Sequence, residues 1–244
     1  MNNETSKVIV FDLDHTIGDF FVIGMIWNFM EKINLKLNQL DFNNVCSLFP
    51  ETLRYNIVSI LKYICLRKSI NNTIKILLYS NNKKGIKWIK LIVCYLQQKI
   101  NYTIFYKVIE NNNKSYKDLL IKSGISRRAK ILFIDDYYHS SMETDKVIYL
   151  NVKPYNYYML NNILINSFVN SRFFNDKIPH NNKLKTIHLF KKYVELNNKN
   201  KEKKNQEKKI DIIVSKTMLS HIRIFLNESN NNTRKNRKPL FIHS

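Results

Sequence analysis

Glycine and proline are scarce in this chain, four of each among 244 residues that are rich in Asn and Lys. That skew points to A/T-rich codons and says more about the genome than about mechanism. Cys46, Cys65 and Cys94 are odd in number and lack zinc-like spacing. They therefore form no disulfide framework and read as reduced thiols of an intracellular protein. The six histidines show no metal-binding spacing either. No run reaches the roughly 18 uninterrupted apolar residues of a membrane span. The opening MNNETSK carries no apolar signal region, so no membrane span is expected.

Acidic residues are also few, 19 Asp and Glu against 40 Lys and Arg, for a formal charge of +21. The imbalance is uneven. Through Asp176 there are 23 basic against 14 acidic residues (+9), and from Lys177 onward 17 against 5 (+12). This suggests a core over residues 1–176 and a basic, Lys/Asn-rich extension over 177–244. The extension reads either as a solvated tail or as a contact for nucleic acid, an acidic partner or an anionic surface. A hydrophobic content of 44% is ample for one α/β core.

What is present is most informative at Val8–Asp19, VIVFDLDHTIGD. An apolar strand, Val8 to Phe11, breaks into Asp12 and Asp14, followed by Thr16. A carboxylate at the carboxyl end of a buried strand sits where open α/β sheets place their ligands. The plain alternative is a turn, since Asp is common in loops. Ile74–Tyr79 forms a second apolar strand that stops at Ser80-Asn81-Asn82. Ala129–Ile134 forms another, stopping at Asp135-Asp136. Before it, NNNKSYKDLLIKSG places Lys114 and Lys117 around the start of a short helix. Ser115 with Asp118 suits that helix's start and Gly124 its stop.

Between these motifs, Val22 to Leu37 recurs at helical spacing, and Pro50 precedes a helix carrying Leu53, Ile57, Ile60, Leu61 and Ile64. A third helix carries Trp88 to Leu96, and Tyr102–Val108 supplies a strand. Val147–Leu150 is a last strand, with Leu160, Ile163, Leu164 and Phe168 on a closing helix. Strands alternating with helices predict an α/β fold, a Rossmann-like parallel sheet flanked by helices with a small helical insertion after the first strand. In the extension, Lys199–Lys209 is a charge-dense linker or solvated helix. Ile210 to Phe225 then recurs at helical spacing, a helix that docks on the core or binds a partner. Thr233 to Pro239, TRKNRKP, has the composition of a nuclear-localisation or nucleic-acid patch.

The order Asp-x-Asp-x-Thr, Ser, Lys, Asp-Asp resembles the four-motif pattern of the haloacid dehalogenase superfamily over about residues 7 to 152. YKDLLIKSGISRRAKILFIDD is similar to the NLI-interacting-factor-like phosphatases, which act on phosphoserine in proteins, as do the RNA polymerase C-terminal-domain phosphatases. FDLDHTIGDFFVIGMIW, YSNNKKGIKWIKLI, FIDDYYHSSM and YLNVKPYNYYML most resemble the branch from large DNA viruses of eukaryotes, from Lys7 to about Ser171. His15 departs from a frequent Glu, and Tyr137-Tyr138 from the usual Ser-Pro. For a viral member the compartment would be host cytoplasm or nucleus.

The resemblance implies a Mg²⁺-dependent phosphatase. Asp12 would attack phosphorus and form an aspartyl-phosphate, and Asp14 would act as general acid and base. Mg²⁺ would be held by the Asp12 side chain, the Asp14 main-chain carbonyl and the Asp135-Asp136 pair. Ser80 and Asn81 would bind phosphate, Thr16 would brace the loop, and Lys114 or Lys117 would balance charge. His15 reads as structural, whereas His139 is either a crevice residue or a plain loop histidine. The short spacings leave no room for a wide cap, which favours a phosphate on a macromolecule. A phosphorylated protein is the expected substrate. A nucleic-acid-end or nucleotide phosphatase and a binding module with a vestigial site are the alternatives.

Overall fold

The computed structural model describes residues 6–227 and 240–242. The TRKNRKP string at 233–239 lies outside the described residues. The strands are β1 (Lys7–Phe11), β2 (Lys75–Ser80), β3 (Lys107–Glu110), β4 (Lys130–Asp135), β5 (Val147–Val152) and a short β6 (Leu240–Ile242). The helices are α1 (Phe21–Lys32), α2 (Gln39–Leu48), α3 (Ile57–Ile70), α4 (Gly85–Ile100), α5 (Tyr116–Ser123), α6 (Asn161–Val169), α7 (Arg172–Lys177), α8 (Lys183–Asn197) and α9 (Asn205–Asn227).

The fold is α/β and Rossmann-like. Its sheet runs β3-β2-β1-β4-β5-β6 with every pairing parallel. β1 lies at the centre and is buried along its whole length, as a strand covered on both faces must be. One face packs Val8, Val10, Leu77, Tyr79, Ile131 and Phe133 with Leu119 of α5. The strand order reverses between β1 and β4, so the crevice at their carboxyl ends is the topological switch point, the position at which such sheets bind ligands.

The chain forms two compact units. Among the described residues, the first takes 6–18, Arg54–Tyr155, 209–227 and 240–242, and contains the sheet. The second takes Asp19–Leu53 and Asn156–Lys208 and is helical. In the helical unit, Phe29 and Phe168 pack on Phe190 at centroid distances of 4.9 and 4.6 Å, tying α1 and α6 to α8. Lys177 reaches Asp41 at 2.7 Å.

This division differs from the expected one at 176/177. From Lys209 to its end at Asn227, α9 belongs with the sheet: Val214, Met218, Ile222, Phe225 and Leu226 are buried, and Lys7 donates to the Leu226 carbonyl at 2.9 Å. Ile213, expected on the apolar face, is half exposed. The residues around Leu164 and Phe168, expected to close the core, belong to the helical unit instead.

Three local readings also change. α1 stops at Lys32, short of Leu37, because Asn34 turns left-handed (φ 59°). β3 spans Lys107–Glu110 and not Tyr102–Val108. Asn101 ends α4 in the left-handed region, and the chain meets β2 only when the Tyr106 N–H reaches the Ile76 carbonyl at 2.7 Å. α2 was not anticipated, although Asn38 and Asp41 form a reciprocal capping box at its start.

Candidate active site

β1 fixes the first aspartate. The Asp12 N–H donates to the Ile134 carbonyl at 2.9 Å, extending the ladder with β4 one residue past the strand. The chain then folds into a tight loop closed by His15 N–H to Gly18 O at 2.7 Å and Ile17 N–H to Leu13 O at 2.9 Å. His15 takes the left-handed region (φ 58°) inside this loop. Its Nδ1 lies 3.0 Å from the Tyr155 carbonyl, a contact within the scaffold.

β4 brings the second pair of aspartates to the same edge. The Thr16 hydroxyl donates to Asp136 Oδ1 at 3.0 Å and accepts from the Asp136 N–H at 3.0 Å, stapling the first loop to the second. Asp135 Oδ1 accepts from Tyr137 N–H at 2.8 Å. Asn151 on β5 donates to the Asp135 carbonyl at 3.1 Å.

Of the two candidate lysines, Lys114 is buried at the site and Lys117 is exposed on α5. Lys114 Nζ donates to Asp12 Oδ1 and, at 2.7 Å, to Asp135 Oδ2. Burial works against its ammonium, but Asp12 and Asp135 outweigh that and hold its pKa above the ordinary value. Tyr79 holds the loop that delivers Lys114: its hydroxyl accepts from the Ser115 N–H and from Asn111 Nδ2, each at 3.2 Å. At the start of α5 the Ser115 side chain accepts from Asp118 N–H, and Gly124 (φ 68°) ends the helix.

The β2 motif divides differently from expectation. Ser80 is fully buried, and its Oγ has no hydrogen-bond partner in the protein. Asn81, expected to bind phosphate, is exposed. Asn82 reaches the site instead, donating from Nδ2 to Asp14 Oδ2 at 2.6 Å. The turn into α4 rotates the second asparagine toward the β1 loop, with Asn82 Oδ1 accepting from Lys84 N–H at 2.8 Å.

The electrostatics are those of crowded carboxylates. One oxygen each from Asp12, Asp135 and Asp136 lie within 4.8 Å of one another. Burial, then the neighbouring Asp12 charge, push the Asp135 carboxyl up to about 7 against the pull of Lys114. The same two causes, in the same order, raise Asp136. His139 Nε2 lies 3.5 Å from Asp135 Oδ2. Burial, then Lys114, push its pKa down to about 4, so the imidazole is neutral at pH 7. Burial, then Asp135, raise the Tyr149 phenol. Its hydroxyl donates to the Tyr137 carbonyl at 2.8 Å and accepts from the His139 N–H at 2.9 Å.

Three carboxylates and one ammonium leave a formal deficit of positive charge in a largely buried cluster, and the carboxylates offer it oxygen ligands. That set fits a hard divalent cation, which Asp12, Asp135 and Asp136 could hold. The unpartnered Ser80 hydroxyl is a donor available to an anion. Tyr79, Asn82, Arg54 and Tyr149 carry no motif, and sequence reading passed over them. Tyr79 adjoins the Ser80 motif and was within its reach.

Neither a comparison with models of known protein families nor a search of curated proteins returns a match to this chain. Among the described residues no helix is long and apolar enough to cross a membrane.

Proposed function

We propose that this protein is a Mg²⁺-dependent phosphatase of the haloacid dehalogenase type that works through an aspartyl-phosphate. The observation that carries the reading is the meeting of Asp12, Asp14, Lys114 and a buried, unpartnered Ser80 hydroxyl at the switch point of a parallel sheet. Phosphoryl transfer needs an in-line nucleophile, a proton handler and cations around the equatorial oxygens, and each role has one residue suited to it.

Asp12 attacks phosphorus, and the bond to the leaving oxygen breaks as the acyl-phosphate bond forms. Asp14, oriented by Asn82, gives its proton to the leaving oxygen and later takes one from the water that hydrolyses the acyl phosphate. Hydrolysis releases phosphate and restores the Asp12 carboxylate. Lys114 aligns Asp12 through a charge-assisted hydrogen bond and offsets phosphate charge, while Ser80 donates to a phosphate oxygen. Asp12, Asp135 and Asp136 would hold a Mg²⁺ ion, which would supply further neutralisation of phosphoryl charge. Phosphoserine or phosphothreonine in protein is the proposed substrate class, on the resemblance to NLI-interacting-factor-like enzymes.

The test is hydrolysis of p-nitrophenyl phosphate with added MgCl₂. EDTA should abolish turnover, and Asp12→Asn should lower kcat by roughly three orders of magnitude or more, as loss of a nucleophile does. Wild-type turnover in that variant removes the covalent mechanism. A panel of phosphopeptides and 5′-phosphorylated oligonucleotides then separates protein from nucleic-acid substrates.

A further inference from the structure

Arg54 heads the large side chains that are fully buried, 1% exposed, in the stretch between Leu53 and α3. A buried guanidinium needs partners, because desolvation disfavours its charge. Here burial pushes its pKa down to about 10, opposed by the charges of Asp211, Asp136 and Tyr155 in that order. Two of its three carbonyl partners lie in the segment that follows Asp14. Nε donates to the Thr16 carbonyl at 2.6 Å, and Nη2 donates to the His15 carbonyl at 2.6 Å and the Lys153 carbonyl at 2.8 Å. The Arg54 N–H donates to the Ile17 carbonyl at 2.9 Å, and the guanidinium lies 5.4 Å from the Tyr155 ring centroid.

This fork acts where the backbone is least willing to stay. His15 occupies the left-handed region without being glycine (φ 58°), a conformation that persists only where the surroundings impose it. Asp14 precedes it, and Thr16, stapled to Asp136, follows it. A guanidinium that grips both carbonyls therefore fixes the positions of a carboxylate on either side.

We propose that Arg54 is a positioning residue for the reaction, holding the His15–Thr16 peptides so that Asp14 and Asp136 keep their places without itself touching the reacting atoms. The inference rests on the phosphatase reading.

The experiment compares wild type with Arg54→Lys and Arg54→Gln on a good leaving group, 2,4-dinitrophenyl phosphate, and a poor one, phenyl phosphate. Arg54→Lys keeps the charge but loses the planar fork. Its kcat on phenyl phosphate should fall about 10–100-fold, the range expected of small misplacement, with KM within about threefold. The fall should be several-fold smaller on the dinitrophenyl ester, whose departure needs little proton donation from Asp14. Hydrogen exchange of peptides covering residues 12–19 in full-length protein should quicken in each variant. Equal losses on both esters, or unchanged exchange over 12–19 in variants with lowered Tm, would overturn the proposal and leave Arg54 a structural residue. Where Arg54→Gln does not fold, Arg54→Lys carries the test. An inactive wild type would defeat the phosphatase reading, and the exchange data would still decide whether Arg54 holds the loop.

Discussion

Lys114 in the sheet unit and Lys177 in the helical unit each reach an aspartate at 2.7 Å, and they sit in very different surroundings. The Lys177 side chain is 32% exposed, and its partner Asp41 is already satisfied by accepting from the Asn38 N–H at 3.0 Å in a capping box. Charge and partner balance there, so the pair makes an ordinary contribution to a helix start. The Lys114 side chain is 3% exposed and shared between Asp12 and Asp135, with Asp136 close by, so three carboxylates meet one lysine. Burying several ions without balancing them costs stability, and a fold gains nothing structural from it that apolar residues would not supply. Unbalanced buried charge at a strand's carboxyl edge therefore marks a site, whereas a balanced, half-wet pair marks architecture.

The sharpest way to break this contrast is to remove each lysine. Lys114→Met leaves buried carboxylates without their cation, so stability should drop by about 3–5 kcal/mol and turnover in the proposed reaction should be lost. The loss should depend on pH in a definite sense. Asp135 already titrates above the ordinary carboxylate value, and losing Lys114 raises it further. Between the unfolded and folded pKa values the folded state then binds more protons than the unfolded one, so the variant's stability rises as pH falls. Urea unfolding in metal-free buffer at pH 8 and pH 5.5 measures this. A larger defect at pH 5.5 would contradict the assignment of the charge. Lys117→Met, on the exposed face of α5, should change neither stability nor turnover.

The second test concerns the C-terminal segment, where charge suggested a tail. A chain ending at Asp176 loses Val214, Met218, Ile222, Phe225 and Leu226, all buried. At about 1.5–3 kcal/mol for each buried side chain this rivals the whole stability of an ordinary domain. The truncated protein should be insoluble or unfolded. Ile222→Ala in the full chain should cost about 2–5 kcal/mol in urea unfolding. A soluble 1–176 fragment with native turnover would restore the boundary suggested by charge alone.

These contrasts also show what a sequence makes legible. Asp12, Asp14, Thr16, Ser80 and Asp135-Asp136 could be read because each follows a strong apolar strand, and strand direction alone sends them to one edge. Lys114 over Lys117 was within reach: Ser115 caps α5, so the residue before it stays in the loop at that edge. Asn82 over Asn81 was not, because one residue of turn decides which side chain faces Asp14. Arg54 was hidden for a different reason. It stands 38 residues from Thr16 in a stretch without periodicity, and its role exists only in three dimensions. The helical unit was misread because its halves, Asp19–Leu53 and Asn156–Lys208, are separated by the central strands. Charge counting then joined α8 and α9 into one extension, although the buried face of α9 belongs to the sheet.

The smallest effect belongs to Lys177. Its ammonium is partly hydrated, and Asp41 keeps the Asn38 N–H and its place at the start of α2 when the lysine is gone. The remaining carboxylate is 4% exposed in its side chain, so some penalty for a less compensated charge persists. Lys177→Met should therefore lower stability by no more than about 1 kcal/mol, near the top of the range for partly exposed pairs. The loss should shrink further in 0.5 M NaCl, because screening weakens hydrated pairs more than buried ones. Turnover should be unchanged. Since Met preserves most of the aliphatic stem, any loss reports the charge and not the packing. A defect as large as that of Lys114→Met, or one insensitive to salt, would mean that the two pairs are alike in kind, and the distinction between a site and a scaffold contact would have to rest on something other than unbalanced burial.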